Sequence, residues 1–153
     1  MDDLAAMRLA LDEAESALAH DDCPIGAVVL VAGEVVARRH NEQERLADPT
    51  AHAELLAIRD AASALGRWRL DDASLVTTLE PCPMCAGAIW SARVDRLVFG
   101  AANPKGGSAG SLYNLLVDPR LNHETEVVPG VLADEAASLL RGFFAGLRGG
   151  EPG

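Results

Sequence analysis

The sequence is poor in aromatic residues, in cysteine and in positive charge. Aromatics make up 4% of its 153 positions, three cysteines are present, and 13 Lys and Arg face 23 Asp and Glu for a net charge of −10. That balance disfavours non-specific attraction to nucleic acid, and the basic tail or run that marks many RNA binders is missing. Three cysteines, two of them three residues apart, do not make a disulfide framework; in a cytosolic chain close cysteines are metal ligands or redox groups. The longest apolar run, Ile25 to Gly33, is far shorter than the ~20 residues that cross a bilayer, which argues against a membrane partner. The opening Met1-Asp2-Asp3 lacks the basic start of a secretory signal, so the chain reads as cytoplasmic. What is there suits a packed core: 49% hydrophobic and 24% charged residues, with no low-complexity stretch. Disorder and fibrous architectures are excluded. At roughly 150 residues per domain, residues 1–153 are expected to form a single domain.

Periodicity predicts alternating helices and strands. Leu4, Met7, Leu11, Ala14 and Leu18 follow helical spacing. Ile25 to Val31 and Val35 to Arg39 are β-branched runs flanking a turn, which reads as a hairpin. A second helix is expected from about Thr50, as N-cap, to Leu65. A strand over Ser74 to Leu79, a helix over Pro83 to Ala92 and a strand over Arg96 to Gly100 follow. After a glycine-rich loop, Asn103 to Ser111, come a short helical segment near Leu112 to Val117, a strand at Glu126 to Val128 and a helix from Asp134 to about Leu147. This order implies an α/β layered domain around one sheet. Trp68 and Trp90 read as core or interface residues rather than base-stacking platforms.

The chemistry concentrates in Asp48-Pro49-Thr50-Ala51-His52-Ala53-Glu54 and in Glu80-Pro81-Cys82-Pro83-Met84-Cys85, each opening an expected helix. Residues three apart in a first helical turn share a side, so Cys82 and Cys85 present both sulfurs together, and the free N–H groups there favour the thiolate that binds metal. His52 supplies a third ligand if the two helix starts face each other. Three protein ligands leave one position of a tetrahedral zinc open, the catalytic rather than the structural pattern. A water in that position has a pKa of about 7 and yields hydroxide at neutral pH. Glu54, two residues from His52, is outside the ligand set and close enough to carry protons. Alone, Cys-x-x-Cys equally suits a structural half-site or a redox pair, and His-x-Glu an exposed helix start; their conjunction favours catalysis.

His-x-Glu with Pro-Cys-x-x-Cys is the signature of the zinc-dependent nucleobase deaminases. The likeness extends over Pro24 to Val28, Asp48 to Glu54, Thr78 to Ala88, Val98 to Ala101, Gly110 to Leu112, Leu121 to His123 and Phe143-Phe144. On these residues the chain resembles the bacterial tRNA-specific adenosine deaminases of the zinc-dependent cytidine/deoxycytidylate deaminase superfamily. The resemblance implies a three-layer α/β/α sandwich with a five-stranded mixed sheet (cytidine deaminase-like) and a homodimer. It implies one Zn2+ per chain on His52, Cys82 and Cys85, with Glu54 as the catalytic proton shuttle. The implied reaction is hydrolytic deamination of adenosine to inosine at the wobble position of a tRNA anticodon stem-loop, by hydroxide attack on the six-position carbon. Among substrate contacts it implies Asn41, which hydrogen-bonds the flipped base, the Ala53 backbone beside it, and Asn103 at the mouth of the site. Two departures keep a free-nucleobase or nucleoside deaminase, of guanine or cytosine type, open as the alternative. Asn103 replaces a commonly acidic residue, and the last stretch offers only Arg141 and Arg148 in place of a basic helix. An RNA substrate needs a local basic surface despite the net charge, and Arg38, Arg39, Arg45, Arg67, Arg69 and Arg148 are the candidates.

Overall fold

The computed structural model describes the backbone of residues 1–150 and the side chains of residues 1–147. Five strands form one mixed sheet in the order β2-β1-β3-β4-β5: β1 Gly26–Val31, β2 Glu34–His40, β3 Ala73–Leu79, β4 Arg96–Ala101 and β5 Glu126–Val128. β1 runs antiparallel to both β2 and β3, whereas β3, β4 and β5 are parallel. Ala32 and Gly33 carry positive φ in the tight turn between β1 and β2, the conformation that matches the twist of a two-residue hairpin.

Helices cover both faces. α1 (Asp3–Ser16) and α5 (Ala133–Gly150) lie on one; α3 (Ala53–Leu65) and α4 (Pro83–Ala92) lie on the other. The short α2, Gln43–Leu46, connects β2 to the segment before α3. Because the central strands are covered twice, they read as continuous apolar runs rather than alternating ones. Ala27, Val29, Leu75, Leu97 and Phe99 face the α3/α4 layer with Ile58 and Ile89, while Val28, Val76 and Val98 face Met7 and Ala10 of α1. This is the expected three-layer sandwich.

Gly26 marks the tightest approach between layers. A Cβ there would collide with the carbonyl of Ala10 and the backbone nitrogen of Ala14 in α1. Backbone atoms have no rotamer escape, so Gly26→Ala is expected to cost at least about 3 kcal/mol. At 2–4 °C per kcal/mol for a chain of this size, thermal unfolding should fall by roughly 6 °C or more.

Several expectations change. Thr50 does not cap a helix: its N–H and hydroxyl both donate to Asp48 Oδ1, at 2.9 and 2.8 Å, closing a turn, and α3 begins at Ala53 with His52 as N-cap. The segment expected to be helical over Leu112 to Val117 condenses to one 3-10 turn, Leu115–Val117. Trp68 is 62% exposed and therefore not a core residue, whereas Trp90 packs against the main core. Among the described residues no helix is long and apolar enough to cross a membrane.

Candidate metal centre and its surroundings

The antiparallel and parallel pairings bring the C-terminal ends of β2, β3 and β4 to one edge of the sheet, where ligand sites of α/β sheets form. β3 leads through Glu80-Pro81 into α4, whose N-cap is Cys82 and whose first helical residue is Pro83. Proline suits that position because its missing N–H would be unpaired anyway. α3 is capped by His52. Neither N-cap side chain makes a capping hydrogen bond, so the imidazole and the thiol can turn toward each other. His52 Nδ1 lies 3.5 Å from both Cys82 Sγ and Cys85 Sγ, and the three donor atoms lie within 4.8 Å of one another.

These donors fit zinc. Zn–S and Zn–N bonds of 2.3 and 2.0–2.1 Å in a tetrahedron imply N···S separations of about 3.5 Å, the spacing found. Hydrogen bonding to Cys85 and His52 pulls the Cys82 thiol down to about 4 despite burial, so its thiolate is the favoured form. The same hydrogen bond to Cys82, together with burial, pushes Cys85 up. Contact with Cys82 raises His52.

Glu54 follows in the first turn of α3 and is 4% exposed. Burial raises its carboxyl above the usual range. Its Oε1 has no protein partner, and an orphaned buried carboxyl oxygen calls for an explanation such as a ligand or a functional water. Asn41, just past β2, is buried, and its Oδ1 accepts from the Ala53 N–H at 2.8 Å. That bond fixes the amide orientation and leaves Nδ2 to donate elsewhere.

Asn103 heads a turn. Its Oδ1 and main-chain carbonyl accept from Gly106 and Gly107, at 3.2 and 2.7 Å. It also lines a cleft of about 740 Å³ with Cys23, Lys105, Arg141, Phe144 and Leu147. Burial, then the charges of Asp22 and Glu54, push the Cys23 thiol up to about 11, which suits an inert residue.

The basic footprint differs from expectation. Arg38 pairs with Glu13, Arg39 with Glu42 and Asp60, Arg45 with Glu42, Arg67 with Asp72 and Arg69 with Asp71. These arginines are already neutralised, and the Arg148 side chain lies outside the described residues. Lys105 and Arg141 line the cleft beside Asn103 instead, and neither joins an ion pair among the described residues.

Sequence reasoning missed Glu80. Its buried carboxylate accepts from the N–H groups of Asn103, Ala109 and Ser111, each at 3.0 Å, and from the Ser111 hydroxyl. It ties the glycine-rich loop to the start of the Cys82 segment. Gly107 is required there, since a Cβ would overlap the Glu80 carboxylate. The available signal was a charged residue ending an apolar strand. Glu80→Ala would leave three N–H groups unpaired at about 1–3 kcal/mol each. A loss of at least about 3 kcal/mol is expected by denaturant unfolding, with faster hydrogen exchange at residues 103–111.

The MafB19-like deaminase family matches residues 1–148. The tRNA-specific adenosine deaminase of Bacillus subtilis (strain 168) is 51% identical over 142 residues, covering 93% of this chain and 88% of that protein. A solved tRNA:A34 deaminase, studied for A-to-I editing at the wobble position of transfer RNA, superposes with a TM-score of 0.85 at 47% identity. The match covers 89% of this chain and 99% of that one. Guanine deaminase from Nitrosomonas europaea has the same fold, with a TM-score of 0.81, but is 28% identical over 93% of this chain and 84% of its own. With this architecture and these degrees of identity, the chain belongs to the MafB19-like deaminase family and, within it, to the tRNA-specific adenosine deaminases.

Proposed function

We propose that the chain is a zinc-dependent hydrolase that converts adenosine to inosine at the wobble position of a tRNA anticodon. The observation that carries the chemistry is the buried Glu54 carboxyl, with Oε1 unpartnered, beside the His52, Cys82 and Cys85 donors. The substrate reading rests on 51% identity to a tRNA-specific adenosine deaminase against 28% to a guanine deaminase.

His52, Cys82 and Cys85 hold one zinc per chain. A zinc held by these residues would supply a bound water of pKa near 7, and so hydroxide at neutral pH. Glu54 would take the water's proton and deliver it to the adenine ring nitrogen as the oxygen bonds to the six-position carbon. It would then move the new hydroxyl's proton to the amino group, whose bond to that carbon breaks to release ammonia. Its raised pKa suits a group that must both accept and give a proton. Asn41, braced by the Ala53 N–H, donates from Nδ2 to the flipped base, and the Ala53 backbone fixes the base beside Glu54. Asn103 stands at the cleft mouth, where Lys105 and Arg141 face the phosphates and Phe144 offers a stacking surface. A homodimer in the cytoplasm, each subunit one deaminase domain over residues 1–153, completes the reading.

The test measures inosine in an anticodon stem-loop carrying adenosine at the wobble position, across a range of salt. Deamination at subsaturating RNA should fall with salt, by a log–log slope of about −0.7 for each single-strand phosphate neutralised. Lys105→Glu and Arg141→Glu should raise KM and spare kcat. Salt-independent activity, or KM unchanged in both variants, would contradict this RNA footprint.

A further inference from the structure

A second group of ligating side chains shares no residue with the deaminase centre. His20 closes the 3-10 turn after α1, His40 ends β2, and Glu42 lies just before α2. One ligand atom from each lies within 4.8 Å of the others. His20 Nε2 and His40 Nε2 approach to 3.1 Å, and His40 Nε2 lies 3.6 Å from Glu42 Oε1.

The outer nitrogens are already taken. Asp22 Oδ2 lies 2.5 Å from His20 Nδ1, and Glu13 Oε1 lies 2.9 Å from His40 Nδ1. An ionised carboxylate can only accept, so both histidines carry hydrogen on Nδ1. In their neutral forms the two Nε2 lone pairs then point at each other across 3.1 Å, a repulsive contact unless a cation lies between them. Among the described residues the surroundings supply no such cation. Arg38 is directed at Glu13, Arg39 at Glu42 and Asp60, and Arg45 at Glu42, while Asp22 accepts from the backbone N–H groups of Glu44 and Arg45.

A proton or a metal ion could occupy that place, and the geometry favours the metal. Tetrahedral zinc with 2.0–2.1 Å bonds to nitrogen and oxygen sets ligand separations of about 3.3–3.4 Å, between the two distances found. A carboxylate on the far nitrogen of each histidine is the usual support of a metal-bound imidazole. Glu42 Oε1 also accepts from Arg45 at 3.1 Å, and a carboxylate oxygen keeps a second lone pair for a metal.

We propose that His20, His40 and Glu42 form a second zinc site, which clamps the turn after α1 to the end of β2 and so braces the turn carrying Asn41. Its role is structural: it reinforces the links that Glu13 makes to Arg38 and His40 and that Asp22 makes to the N–H groups of Glu44 and Arg45.

The test titrates zinc chloride calorimetrically into tag-free protein already carrying one zinc per chain. One further equivalent should bind and raise the melting temperature. His20→Gln and His40→Gln should keep the first zinc and weaken the second by roughly 100-fold or more, with no zinc-induced rise in melting. His20 is half-buried at the surface, so its variant should fold, as circular dichroism can verify. Wild type saturating at one zinc would mean that a proton bridges the imidazoles, and would overturn the proposal. A second equivalent that survives in both variants would overturn it as well, by placing that zinc elsewhere.

Discussion

Glu54→Gln is expected to fold and hold zinc as the wild type does while its deamination rate falls roughly a hundredfold or more, the usual worth of a positioned proton carrier. The amide keeps the shape of the carboxyl and its oxygen, and Oε1 has no protein partner to lose. What disappears is the capacity to accept a proton from water and return it to nitrogen. Because Glu54 is not one of the three donors, zinc measured by atomic absorption should remain at the wild-type value. Full activity in a zinc-loaded Glu54→Gln protein would reduce Glu54 to a carboxyl at a helix start.

Cys82→Ala and Cys85→Ala should fail differently, losing metal, fold and activity together. Removing one of three ligands leaves two, too few to hold zinc firmly, and binding energy to a folded site is folding energy. A ligand present at about 1,000 times its dissociation constant contributes ~4 kcal/mol, so unfolding should shift down by roughly 8–16 °C. Stripping the wild type with a strong chelator should reproduce the shift without any substitution. Retention of one zinc per chain in either cysteine variant would remove that cysteine from the ligand set.

Much of this was legible in the residues themselves. β3, α4 and β4 fall within a residue of their expected bounds, because β-branched runs and the Pro83 helix start are local signals. The convergence of His52 with Cys82 and Cys85 needed only two helix starts facing one edge. The misread features depend on side-chain partners that periodicity does not reveal. Thr50 looks like an N-cap until Asp48 claims both its donors, and four-residue α2 is too short to show a period. Glu80 became visible only when the loop from Asn103 to Ser111 folded over it. The arginines looked like an RNA footprint because a charge count does not show which carboxylate each one meets, whether remote, as Glu13 is for Arg38, or near, as Asp72 is for Arg67.

The most direct measurement offers the zinc-loaded protein four substrates at equal concentration: an anticodon stem-loop with adenosine at the wobble position, free adenosine, guanine and cytosine. Ammonia release is followed for each. The stem-loop should be turned over with a kcat/KM at least a hundredfold above the other three, its product inosine at the wobble position alone. Ammonia released faster from guanine or cytosine than from the stem-loop would contradict the account and make this chain a small-molecule deaminase.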